Sequence, residues 1–600
     1  MRHRSLLIVL SVLLGPVLCI GAAAAQSTDR HGNTVIGPIQ RDEAYSFRVY
    51  LPLRDPDGLA SFVDHVSNPT DPLYHRFLTP EELSARFGAT RESLDALDSA
   101  LRQAGLTVTD RDARSIGVTG WSETVEAFIG SPLDHVVTPD GQKLVAARSA
   151  ITLPGTVTAL GAQIFAFRGV IRMHTPQTIV KPLETGTTGT GPFLTSDLKQ
   201  AYDAPSFQSL SGTGATIGIL ISGTIAPSDL QGYFGKVGVT VPTFTVTTVD
   251  GGGTNASLEG TLDVQQAGGF APGAAIIQYG VPDLSDQSII DGLSAILTDN
   301  QVDVVSMSFG SCELDFLAFW DGPFSAVDTV LAEDSLFQQG SALGITFVAS
   351  SGDSGALGCA PAGYGNEPST TSASSSFLPG VQNPASSPNV TAVGGTNLTV
   401  SAGTAASTYV AENANFDPLM PKPGDGGTTN LNGAVWGSGG GASVLFAQPS
   451  YQQLVTTGIA TRAVPDVALH MGGCPQGAVG TCPPARSSDF LFFQGQGQGI
   501  LGTSAAAPDF AGVIALMVQN SGQRQGRAND RMYMLAQAQT NGGAAAFHRN
   551  IPGNNGVYAS SATGSPAYNM VIGNGTLDIR QFMQVPNLAA AGAPGSASNP

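Results

Sequence analysis

Between residue 192 and residue 585 the chain alternates short apolar runs with amphipathic ones, and this limits its fold more than any other feature. ATIGILIS, AAIIQYG, VDVVSMSFG and GITFVASSGD are apolar over strand length and stop at small or polar residues. SIIDGLSAILTDN and DTVLAEDSLFQQGSALG, lying between them, carry helical spacing. A strand covered by helices on both faces reads as one continuous apolar run. The alternation therefore predicts an α/β domain over 192–585: a parallel sheet flanked by helices, with reactive residues at the carboxyl ends of its strands.

A smaller unit of mixed character precedes it. ESLDALDSALRQAG has helical periodicity, whereas TVTDRDARSIGVTG and GQKLVAARSAITL alternate like strands. TPQTIVKPLETGTTGTG then has no apolar period and reads as an exposed linker. At the N-terminus Arg2, His3 and Arg4, an apolar run from Leu6 to Ile20, and Ala23-Ala24-Ala25 form the three parts of a signal peptide. The expected boundaries are a signal peptide over 1–25, a first domain over 26–174, a linker over 175–191, the main domain over 192–585 and a disordered tail over 586–600. Export to the outside follows from the leader. No later run reaches the ~18 apolar residues of a membrane span.

Lys+Arg 27 against Asp+Glu 46 gives a net charge of -19. Phosphate binding needs a clustered basic face, so a nucleic-acid partner is excluded. An acidic chain loses charge as pH falls, so acid does not force it apart. Past the leader, Cys312, Cys359, Cys474 and Cys482 remain. An even number in an exported chain suggests two disulfides, with three connectivities open. Cys474 and Cys482 close a short loop, and Cys312 with Cys359 is the pairing left over. A zinc site has the wrong spacing and no nearby histidine.

GTSAAAPDFAGVIALMVQN places Ser504 after a Gly-Thr turn and at the start of a helical pattern running to about Asn520. The free N–H groups and positive dipole end of a helix suit a developing oxyanion, although a plain helix cap would look the same. A nucleophilic serine needs a base. His470 and His548 are the histidines of the main domain, and neither neighbours an acidic residue in sequence. Glu259 and Asp263 in SLEGTLDVQQAGGFAPGA are four apart, so on a helix both project from one face. Two close carboxyls share a proton, and such a pair can accept the serine proton in acid, where histidine is already charged. Asp353, in VASSGDSGALGC, follows an apolar strand in a glycine-flanked turn.

DPLYHRFLTPEELSARFG, VVSMSFGSCE, SSPNVTAVGGTNLT, WGSGGGAS, QPSYQ, RAVPDVA and GTSAAAP occur in this order along the chain. Together they resemble the sedolisin family, the serine-carboxyl peptidases, across nearly the whole mature chain. The resemblance implies a subtilisin-like α/β fold behind a smaller α+β propeptide of pro-kumamolisin type, and an autoprocessed zymogen acting on protein or peptide substrates. It implies Ser504 as nucleophile, Glu259 as general base, Asp263 as its support and Asp353 as a protonated oxyanion donor. It also implies that the propeptide inhibits the enzyme. The first domain holds much of the chain's charge, and this distribution suggests that ion pairs hold the propeptide over the cleft and loosen in acid. A monomer is expected. Family members bind calcium near the C-terminus. The corresponding positions here are Arg549, Asn550, Ser565, Ala567 and Asn569. Arg549 and Asn569 stand where aspartate ligands are expected, so no cofactor is expected, and the arginine offers its own charge instead.

Overall fold

The computed structural model describes residues 27–584 apart from 30–32, 138–142, 166, 168–172, 174–177, 181–188, 190, 207, 319, 322–323, 360–377, 402–406, 415, 418–435, 457 and 475–486. The leader, most of the linker, Cys482 and the tail lie outside the described residues.

The first domain is built on two small antiparallel sheets. Ser115–Trp121 pairs with Ala44–Tyr50 and Thr107–Arg111, while Leu133–Val137 pairs with Thr34–Pro38 and Lys143–Ala147. The expected helix runs Arg91–Gln103, capped by Thr90, with Leu94, Leu97 and Leu101 buried along one stripe.

In the main domain β1 is Thr216–Ser222, α1 Pro227–Val237, β2 Phe244–Thr248, α2 Leu258–Phe270 and β3 Ala275–Val281. Next come α3 Asp286–Asp299, β4 Val304–Met307, α4 Ala326–Ala342, β5 Thr346–Ser350, β6 Thr391–Val400 and β7 Val467–His470. β8 Asp489–Phe493 and β9 Gln496–Leu501 form a hairpin leading into α5 Thr503–Ser521, followed by α6 Asn529–Thr540, β10 Phe547–His548 and β11 Thr576–Leu577.

The sheet order is β2-β3-β1-β4-β5-β6-β7-β11-β10, parallel from β2 to β11. The four apolar runs became β1, β3, β4 and β5, all interior to the sheet. From β1 the chain goes first to β2 at the edge, returns to β3 between the two, and then crosses to β4 on the other side of β1. That reversal opens a crevice at the carboxyl ends of β1 and β4, where an α/β sheet presents its reactive groups.

The two domains share one apolar core. Tyr50, Leu59, Phe62 and Val66 of the first domain pack into the cluster that holds the sheet residues. The Leu78 N–H donates to the Ala342 carbonyl at 2.9 Å, and the Tyr50 hydroxyl lies 2.9 Å from Ser294 Oγ. Among the described residues two ion pairs cross, Arg48 Nε to Asp291 Oδ1 at 3.5 Å and Arg527 to Asp64 Oδ1 at 2.6 Å. Much of the first domain's charge is paired within it instead, as in Arg102–Asp98, Arg111–Asp95 and Arg148–Asp134. The contact is thus more apolar than the charge distribution suggested.

Cys312 and Cys359 are joined, and Cys474 is also disulfide-bonded. No helix among the described residues is long and apolar enough to cross a membrane. The linker is not wholly without structure: Thr178–Val180 forms a strand antiparallel to β9.

Candidate active site

Ser257 starts α2, its hydroxyl accepting the Gly260 N–H at 3.0 Å. Glu259 and Asp263 follow one turn apart on the same face. Such a pair on a helix is ordinarily solvated, but here Glu259 is 3% and Asp263 0% exposed. The packing of α5 on α2 covers them. At Gly512 of α5, a Cβ would stand 2.4 Å from Phe270 Cβ and 3.1 Å from the Ala267 carbonyl of α2. Glycine there lets the two helices meet.

Ser504 occupies the second position of α5, fully buried, just past Gly502. Gly502 has φ +147° and ψ 154°, a conformation essentially confined to glycine. The turn delivers Thr503 to Asp353. The Thr503 N–H and hydroxyl both donate to Asp353 Oδ1, at 2.8 and 2.7 Å, leaving Oδ2 buried without a partner among the described residues. The loop holding Asp353 after β5 is clamped by WGSGGGAS. The Gly437 N–H donates to the Asp353 carbonyl at 2.7 Å, and at Gly439 a Cβ would lie 2.0 Å from the Ser351 carbonyl.

The structure thus brings Ser504, Glu259, Asp263 and Asp353 together. Burial pushes the Glu259 carboxyl well above its ordinary range; Asp263 and Asp353 push the same way, while Ser504 and Ser308 oppose them. Glu259 and Ser504 therefore interact, but both Glu259 oxygens and Ser504 Oγ lie outside hydrogen-bond geometry. Burial also raises Asp263 against the hydrogen bond from Ser308. It pushes Asp353 up to about 7 despite the two bonds from Thr503. Thr503 and Ser308 escaped the reading of the sequence, because nothing in a lone hydroxyl shows which carboxyl it will face.

The histidines are engaged elsewhere. His470 Nδ1 accepts the Leu398 N–H at 3.1 Å, and Nε2 faces Ser487 Oγ at 3.4 Å and Asp489 Oδ1 at 3.7 Å. An acidic neighbour is therefore present in space although absent in sequence, yet burial pushes His470 down to about 3 and keeps it neutral. His548 stacks on Tyr409.

The C-terminal positions do not fit calcium. Asn569 Oδ1 already accepts the N–H groups of Val571 and Ile572 at 3.0 and 3.1 Å, and Asn550 Oδ1 accepts from Ser565 at 3.4 Å. Arg549 donates to the Ala536 carbonyl at 2.6 Å and to Thr540 Oγ1 at 2.9 Å, so its charge meets the negative end of α6. It makes no hydrogen bond to Ser565, Ala567 or Asn569 among the described residues. A hard divalent cation wants carboxylate oxygens, and this set offers none.

Residues 31–161 match the pro-kumamolisin activation domain, and residues 243–551, just over half of the chain, match the subtilase family. Xanthomonalisin from Xanthomonas sp. (strain T-22) is 26% identical over 92% of this chain, which spans 66% of that protein's length. Sedolisin from Pseudomonas sp. (strain 101) is 28% identical over 89% of this chain and 86% of its own. Kumamolisin from Bacillus sp. (strain MN-32) is 28% identical over 87% of each. A solved structure of Pseudomonas sedolisin, a serine-carboxyl proteinase complexed with two molecules of pseudo-iodotyrostatin, aligns at TM-score 0.53 and 27% identity, covering 66% of this chain and 98% of that one. The chain belongs to the subtilase family, as a sedolisin-like serine peptidase with a pro-kumamolisin activation domain ahead of its catalytic domain.

Proposed function

We propose that this chain is an exported, acid-acting serine-carboxyl protease, made as an autoprocessed zymogen, in which Ser504 is the nucleophile. The observation that carries this reading is the company Ser504 keeps. Three buried carboxyls surround it, and no histidine, lysine or arginine among the described residues bonds to any of the four.

Glu259 and Asp263 hold one proton between them, because two buried charges so close are costly. The ionised member gives Glu259 the capacity to take the Ser504 hydroxyl proton as Oγ attacks the scissile carbonyl carbon. Glu259 then returns that proton to the leaving amine nitrogen, and the acyl-enzyme is hydrolysed by the same steps with water as nucleophile. The carbonyl oxygen becomes an oxyanion beside Asp353. Oδ1 is engaged as an acceptor by Thr503, so a neutral Asp353 carries its hydrogen on Oδ2 and donates it. An ionised Asp353 repels the oxyanion, so activity falls as pH rises through about 7.

The Thr178–Val180 strand supports processing by the enzyme itself. It runs antiparallel to β9, with Thr178 opposite Leu501, three residues before Ser504. Main-chain pairing of an extended segment is how a peptide is held without regard to its side chains. The residues at 549–569 support an enzyme without calcium there, and the leader supports export.

Casein digestion by the full chain across pH 3 to 9 tests the reading. The expected result is activity in acid that declines through neutral pH and disappears in Ser504→Ala and Glu259→Ala, with Ser504→Ala also left unprocessed on acidification. Activity that rises between about pH 6 and 8 marks a histidine base and overturns it.

A further inference from the structure

Ser308 stands just past the carboxyl end of β4 and is fully buried. Its Oγ lies 2.6 Å from Asp263 Oδ1 and 3.3 Å from the Ser504 carbonyl oxygen. The second acceptor is available because of Pro508, which lies inside α5. In an α-helix the N–H of residue 508 would bond to the carbonyl of residue 504, and proline has no N–H to give. A backbone carbonyl and a carboxylate both only accept, and the hydroxyl has one proton for the two. The carboxylate oxygen at 2.6 Å takes it, and the Ser504 carbonyl at 3.3 Å is the alternative acceptor when Asp263 is protonated.

One side chain therefore touches both the acid pair and the backbone of the nucleophile. Resting on the reading of Glu259 as base, we propose that Ser308 is a positioning residue for proton transfer: its hydroxyl, wedged beside the Ser504 backbone, donates to Asp263 Oδ1 and stabilises the single negative charge of the Glu259–Asp263 pair. A donor aimed at a carboxylate favours its ionised form. Both carboxyls register that effect, since Ser308 opposes the rise of each. The titratable groups facing this arrangement are Glu259 and Asp263 from α2, with Asp353 from the loop after β5 acting on Glu259. Asp263 Oδ2 has no partner among the described residues, so Ser308 is the contact that orients this carboxyl.

The test is a pH–rate profile of full-length Ser308→Ala and Ser308→Thr beside the parent, with melting temperatures. Without its donor the pair ionises less readily, so the acid limb of kcat/KM should move up by about one pH unit in Ser308→Ala. Its kcat should fall roughly 10-fold or more with KM within about twofold. Ser308→Thr retains Oγ and should recover most of both. An unmoved acid limb overturns the inference, as does a loss of kcat in Ser308→Ala and Ser308→Thr alike. So does a loss that merely follows a fall in melting temperature. Glu259→Ala separates the two readings: if it is inactive while Ser308→Ala is unimpaired, this inference alone falls, whereas an active Glu259→Ala removes the reading beneath it.

Discussion

Thr503 places two hydrogen bonds on one oxygen of Asp353 and leaves the other for chemistry. A residue in the motif that presents the nucleophile thereby also sets which oxygen of the neighbouring acid carries a proton. An asparagine at 353 has the same shape, with an accepting oxygen for Thr503 and an N–H in place of the acid O–H. That donor does not titrate. Asp353→Asn should retain part of the acid activity and lose less of it above pH 7 than the parent, because the parent's donor ionises at about 7. Asp353→Ala should lose kcat/KM by about 10²–10³ at every pH. Matched pH profiles of the two variants check this.

Helix α5 carries a second acidic arrangement that the proposed mechanism leaves idle. Asp509, five residues after Ser504, interacts with Asp489 at the start of β8, whose hairpin leads back into Ser504. Both are fully buried, and their carboxyl oxygens have no hydrogen-bond partner among the described residues. The titratable groups facing them are Tyr233 from α1 and His470 from β7, both uncharged. Burial raises both carboxyls well above their ordinary range. The folded chain therefore binds more protons than the unfolded chain above about pH 4. The stability this contributes is full in acid and is lost as pH rises toward the folded values, at up to about 1.4 kcal/mol per pH unit for each proton. Asp509→Asn should flatten the dependence of melting temperature on pH between about pH 5 and 8 relative to the parent. Calorimetry at several pH values reads it; parallel curves for the two proteins would show that the pair does not titrate.

Between the domains, Tyr50, Leu59, Phe62 and Val66 pack into the shared apolar core, and acid does not weaken such contacts. Acid acts instead on the polar links. Arg48, with a side chain 9% exposed, meets Asp110 and Asp112 of its own domain and Asp291 of the catalytic domain. Burial and then Asp250 raise Asp291, while Arg48 lowers it. Protonation of Asp291 as pH falls leaves the buried guanidinium without its partner across the interface. Arg48→Ala removes that link beforehand, so its precursor should be processed at a higher pH, or severalfold faster at a given mildly acidic pH, than the parent. Time courses of processing on gels, with Ser504→Ala as the unprocessed reference, measure it. Equal rates would assign the trigger elsewhere.

By itself the sequence determined the α/β class, the strands now at the centre of the sheet and the helical pair Glu259–Asp263, because these rest on spacing along the chain. It also placed Ser504 at a helix start, since Gly502 and the apolar period of α5 are local signals. Only tertiary structure decided that the pair is buried, because burial came from Gly512 letting α5 meet α2. The partners of the carboxyls were equally out of reach: Ser308 is 45 residues from Asp263, and Thr503 is 150 from Asp353. A hydroxyl has no periodicity to betray its direction. Likewise the Arg549 charge, assigned from sequence to a vacated ion position, went to the end of α6 because free helix carbonyls lay within its reach.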